Sequence, residues 1–107
     1  MTANADPRAT LDALAAEYAQ RAEAIRRTLV SPHSSSFPEQ AVERQNDDVL
    51  RSLLAEAEQG LREVAQARER LAAGRYGICS GCGATIAPAR LAALPTAELC
   101  VDCAARS

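Results

Sequence analysis

Four cysteines stand in two pairs, Cys79-Ser-Gly-Cys82 and Cys100-Val-Asp-Cys103, with seventeen residues between them. A Cys-x-x-Cys turn lets two sulfurs reach one ion from a single knuckle. Two knuckles at this distance have the spacing of one tetrahedral site for a soft cation, and Zn²⁺ is the ion that suits four thiolates in that array. Sulfur fills all four positions, so no place is left for a reactive water and the expected role is structural. Gly81 and Gly83 suit the tight backbone that points amides toward sulfur. A redox dithiol is the competing chemistry, but such pairs usually open a helix after a strand in a βαβ pattern, and none is visible.

Other chemistry-bearing residues are fewer. His33 falls in a turn-like stretch and is not needed by a site already complete in sulfur. Ser34, Ser35 and Ser36 offer hydroxyls without the His/Asp partners that nucleophilic catalysis requires, so the chain does not read as a hydrolase or as an enzyme of another kind. Asp47 and Asp48 read first as a solvated face. Arg75, Arg90 and Arg106 are scattered around the cysteines and read as surface charge.

The elements that must position the cysteines follow from composition and rhythm. The chain has 107 residues, enough for one small domain or a module with an appendage, and only 3% of them are aromatic. Ala and Leu dominate the apolar set, which favours slim helices packed along their length, with metal supplying stability where burial cannot. Pro7 follows Asp6 as a helix start, and Leu11, Ala15, Tyr18, Ala22, Ile25 and Leu29 step 4, 3, 4, 3, 4. This predicts a first helix over about 7–30. Ser31-Pro-His-Ser-Ser35 breaks it, and Ser36-Phe-Pro-Glu39 reads as a capping box opening a second helix over about 36–73. That helix carries Leu50, Leu54, Ala57, Leu61, Val64 and Leu71 in a 3/4 rhythm, with Arg68 at one seam position and Gly74 closing it as a C′ glycine. The predicted fold is mainly all-α. An antiparallel two-helix coiled-coil hairpin over 1–73, with its tip at 31–36, carries a small Cys₄ zinc finger over 74–107.

The stretch Arg70-Leu-Ala-Ala-Gly-Arg-Tyr-Gly-Ile-Cys79-Ser-Gly-Cys82-Gly resembles the C-terminal zinc finger of the DksA/TraR family. So does Arg90-Leu-Ala-Ala-Leu-Pro-Thr-Ala-Glu-Leu-Cys100-Val-Asp-Cys103. The likeness includes the seventeen-residue gap, the Tyr-Gly-x-Cys entry and the Arg-Leu-x-Ala-x-Pro-Thr linker, and the helical hairpin fits the family's coiled coil. The resemblance implies one structural Zn²⁺ on Cys79, Cys82, Cys100 and Cys103. It also implies a transcriptional regulator that binds bacterial RNA polymerase, with the coiled-coil tip in the secondary channel.

At the tip, the family's best-studied branch carries Asp-x-x-Asp-x-Ala. Gapless counting back from Cys79 places Ser36, Glu39 and Ala41 on the three named positions, so one acid stands where the pattern has two. The same count puts Glu56, Glu63 and Ala104 where larger members hold ppGpp with basic residues. Acidic side chains repel that nucleotide's phosphates, so no ppGpp site of that type is expected.

Charge bears on the partner. The formal net charge is −2, with twelve basic residues, all of them Arg. Four thiolates and one Zn²⁺ take the total to about −4. A domain gripping phosphates is usually clearly basic, so direct DNA binding is not expected. The chain has neither a bilayer-length apolar run nor a signal-peptide pattern, so no membrane partner is expected and the expected compartment is the cytoplasm. Two readings from other classes stay open: a zinc-ribbon nucleic-acid binder, and a thiol-based redox sensor that ejects its metal.

Overall fold

A computed structural model of the chain describes residues 6–30 and 37–106, excepting the side chain of Phe37. Four helices follow in order: α1 Pro7–Leu29, α2 Phe37–Ala72, α3 Pro88–Ala93 and α4 Val101–Arg106. Among the described residues extended pairing is limited to one antiparallel bridge, Ile78 with Thr85. The predicted tip at 31–36, with His33 and the Ser36 cap, lies outside the described residues.

Helix ends follow local chemistry. The Asp6 carboxylate accepts the N–H of Arg8 at 3.1 Å, and Pro7 supplies the first helical φ. At the far end of α2, Gly74 sits at φ +76°, donating to the Leu71 carbonyl at 3.1 Å, while Arg75 donates to that of Arg70 at 2.7 Å. This pair of bonds is a Schellman cap, which needs a residue free to turn left-handed. The expected C′ glycine is in place.

The chain divides into two compact units, Ala16–Leu61 and the remainder formed by Met1–Ala15 with Arg62–Ser107. Inside the first unit Ala22 and Ile25 of α1 and Ala57 of α2 are buried. Tyr18 lies against Gly60 and Arg26 pairs with Glu58 at 2.8 Å. Residue numbers rise along α1 as they fall along α2, so the two segments run antiparallel. In the second unit Leu11, Val64 and Ala67 are buried, and Asp12 pairs with Arg68 at 2.5 Å.

One seam position differs from expectation. Ala67 is buried where Arg68 was expected, and the Arg68 side chain is 46% exposed, reaching round to Asp12. A true helix advances 3.6 residues per turn, so a 3.5-residue template drifts off the contact face, and a methyl side chain lets the backbones approach. The core is therefore thin, with Leu11, Ile86 and Val64 its largest fully buried side chains.

Gly60 makes the close approach of the helices visible. A Cβ placed there would lie 2.6–2.7 Å from three carbons of the Tyr18 ring. Helix propensity favours Ala over Gly by about 1 kcal/mol, whereas overpacking costs about 1–3 kcal/mol. Gly60→Ala should therefore destabilise the chain slightly. In a Tyr18→Ala background the same change should stabilise it by about 1 kcal/mol, because the obstruction is gone. Urea unfolding of the four chains of this cycle checks the reversal of sign, and an unchanged sign would refute the close-packing account.

Candidate metal centre

The first knuckle is a tight loop closed by backbone bonds. Ile86 donates to the Gly77 carbonyl at 2.8 Å, Cys79 to Ala84 at 2.8 Å, and Gly83 to Cys79 at 2.9 Å. Gly83 turns with φ +78°. Gly81 has a different reason to be glycine: a Cβ there would lie 3.1 Å from Cys103 Sγ and 3.4 Å from Leu99 Cδ2. The two knuckles meet at that point, and a side chain would push the second away.

The second knuckle leads into α4. Cys100 precedes the helix and Cys103 lies within it, with Ala104 donating to the Cys100 carbonyl at 2.9 Å. The four Sγ atoms all lie within 4.8 Å of one another. Cys82 and Cys100 sulfurs are 3.9 Å apart, far beyond a disulfide's ~2.05 Å. A Zn–S length of about 2.3 Å in a tetrahedron puts sulfurs about 3.8 Å apart, so the spacing suits one Zn²⁺. The donor set also fits: Cys79 Sγ accepts the N–H of Gly81 and of Cys100 at 3.3 Å each, and Cys100 Sγ that of Cys103 at 3.5 Å. A bound Zn²⁺ cross-links the knuckles and supplies folding free energy; the residues supply four thiolates and amides that offset their charge.

Before metal binds, titration of the cluster is uneven. The Cys100 N–H, above all, holds the buried Cys79 thiol down to about 6, with desolvation opposing and the Cys82 and Gly81 amides assisting. Cys103 is pushed up to about 12, first by its sulfur neighbour Cys79. These are two ends of one coupled cluster, in which charge on Cys79 keeps the proton on Cys103.

The last part of the segment joining the knuckles, Pro95 to Leu99, is tied at four of its five residues. Tyr76 Oη donates to the Pro95 carbonyl at 2.7 Å, Arg70 Nη2 to Thr96 at 3.0 Å, Ser80 N–H to Glu98 at 2.8 Å, and Arg90 Nε to Leu99 at 2.9 Å. Arg90, expected to be surface charge, is thus a strut of the metal loop. Arg70 and Tyr76 were not singled out by residue type, although both stand in the motif that carries the family resemblance. Burial pushes the Tyr76 phenol above 10.0, with the Arg70 charge pulling it back.

The remaining expected site residues are spread out. Glu39 is exposed in the first turn of α2, and Ala41 is exposed in the next. Pro38, Glu39, Val42 and Glu43 line a shallow apolar hollow. Ser36 lies outside the described residues. Asp48 pairs with Arg51 at 3.4 Å. Glu56 and Glu63 are exposed on α2, and Ala104 is on α4. Among the described residues no helix is long and apolar enough to cross a membrane.

Known proteins share these features. Residues 74–107 match the prokaryotic dksA/traR C4-type zinc finger. The structure of transcription factor DksA2 from Pseudomonas aeruginosa superposes with a TM-score of 0.72 at 26% identity, covering 94% of this chain and 75% of that one. An uncharacterized protein of Aquifex aeolicus (strain VF5) is 46% identical over 44 residues, which is 41% of this chain and 30% of that relative's length. The mainly helical fold with a C-terminal Cys₄ cluster is accordingly of the DksA type, and the finger is a one-zinc C4 finger.

Proposed function

For this chain, which carries the DksA/TraR finger on a DksA-like helical fold, we propose a non-enzymatic transcriptional regulator that binds bacterial RNA polymerase. The observation that carries the reading is the joint likeness, a DksA2-like fold across 94% of the chain together with a C4 finger whose four sulfurs converge.

In this reading the tip of the helical hairpin, 1–73, enters the secondary channel, and the hairpin base and the finger, 74–107, dock at the rim. The tip is Ser36, Glu39 and Ala41, with Glu39 the acid offered near the polymerase's catalytic metal. Its exposure in the first turn of α2 leaves it accessible to a partner. The mechanism is steric and electrostatic: a thin arm occupies the channel, and one carboxylate changes the field around the catalytic ion. Exposed Glu56 and Glu63 argue against ppGpp at the family's position. Negative charge argues against direct DNA binding. The same reading places the protein in the cytoplasm, with the polymerase.

Co-precipitation with bacterial RNA polymerase, paired with in vitro transcription, tests it. The natural chain should bind and change initiation. Glu39→Ala should keep binding while losing most of the effect on initiation. Absence of polymerase binding, or a steeply salt-dependent affinity for DNA alone, would overturn the reading. An unchanged transcriptional effect for Glu39→Ala would reduce Glu39 to a helix-start residue.

A further inference from the structure

Charge at the metal centre is offset unevenly. One Zn²⁺ on four thiolates carries about −2, in a chain whose formal charge is already −2. N–H groups aimed at sulfur are the usual compensation. Cys79 Sγ receives the amides of Gly81 and Cys100 at 3.3 Å each, and Cys100 Sγ that of Cys103 at 3.5 Å. Cys103 Sγ is met by a side chain instead: Arg106 Nη2 lies 3.8 Å away. The two residues are three apart on α4 and so share one face of that helix. A guanidinium differs from an amide in bringing a full positive charge that is kept at every working pH.

We propose that Arg106 is the outer cation of the metal centre, a positioning residue that offsets thiolate charge at Cys103 and slows loss of zinc. Arg75 and Arg90 lie in the same finger and do not share this role. Arg90 is engaged with the Leu99 carbonyl, and among the described residues the guanidinium that meets a cysteine sulfur is that of Arg106, not Arg75. The inference rests on the fit of the four sulfurs to zinc and is independent of what the protein regulates.

The test follows zinc transfer from the full, zinc-loaded chain to excess 4-(2-pyridylazo)resorcinol. Losing an outer-sphere partner typically costs about 10–100-fold in metal affinity, and the solvent exposure of Arg106 places the expected change near the low end. Arg106→Gln should speed release about tenfold at low salt, and Arg106→Lys, which keeps the charge, by less than about threefold. Arg75→Gln, which removes the same charge without touching sulfur, should release at the natural rate. In about 1 M salt, where charges are screened beyond about 3 Å, the Arg106→Gln difference should largely disappear. Three results would each overturn the proposal: a natural release rate for Arg106→Gln, equal acceleration by Arg75→Gln, or an acceleration undiminished in high salt. The last would assign the effect to fraying of α4.

Discussion

Cys79→Ser should release stoichiometric zinc and unfold residues 74–106 while leaving 16–61 folded. Ordering the backbone of the finger costs conformational entropy that apolar burial must offset. Against this, the buried apolar residues of that stretch are Cys79 and Ile86, and one buried Ile returns only about 1.5–3 kcal/mol. Backbone bonds do not make up such a difference, because they replace bonds to water. Structural zinc contributes about 10–16 kcal/mol in small finger peptides, several times what that one buried side chain returns. Cys79 is the most damaging ligand to lose, being buried and accepting amides from both knuckles. Residues 16–61 form their own compact unit, with Ala22, Ile25 and Ala57 buried within it. Native mass spectrometry reads the zinc, and hydrogen exchange reads the two stretches separately. Full zinc with native protection in the finger would contradict this account, as would loss of protection throughout 16–61.

Arg70→Ala should weaken the finger without emptying it. The Arg70 guanidinium holds the part-buried Thr96 carbonyl at 3.0 Å from the last turn of α2. A hydrogen bond from a charged donor contributes about 1.5–3 kcal/mol, and its removal leaves Thr96 without that partner. The expected loss is about 2 kcal/mol in the unfolding of the finger, read by guanidinium titration of Tyr76 fluorescence in a Tyr18→Phe background. Zinc stoichiometry should stay at one.

A second readout of the same variant is electrostatic. The Tyr76 phenol already titrates above 10.0 because burial disfavours the phenolate, and Arg70 opposes that shift. Without Arg70 the titration should move higher still. The folded state favours the neutral phenol, so its contribution to stability is complete below pH 10.0 and is lost as pH rises through the folded value. Arg70→Ala moves the upper edge of that window upward. An unmoved phenolate absorbance curve would place Arg70 away from Tyr76 in solution.

The helices were legible because periodicity and end signals agreed. Apolar steps of three and four marked the stripe from Leu11 to Leu29, and Asp6-Pro7 and Gly74 marked two ends. Arg68 against Ala67 was not legible, because a heptad template and a 3.6-residue helix assign neighbouring residues to the same contact. On α2, Val42 and Val49 are 56% and 60% exposed, although their residue type suggests burial. Propensity and hydropathy do not specify which face of a helix finds a partner.

The four cysteines by themselves pointed to the metal and its number. Residue type and spacing suffice there, because a tetrahedral thiolate site is a short-range constraint carried by two local turns. Tertiary structure alone decided what surrounds the metal. It set Gly81 against Cys103, turned Arg90 inward to Leu99 and Arg106 toward a sulfur, and joined Arg70 and Tyr76 to the linker. Those contacts join residues up to twenty-six positions apart, and an arginine's type is the same whether its guanidinium meets solvent or a carbonyl. Long flexible side chains take their roles from what the fold brings within hydrogen-bonding reach of them.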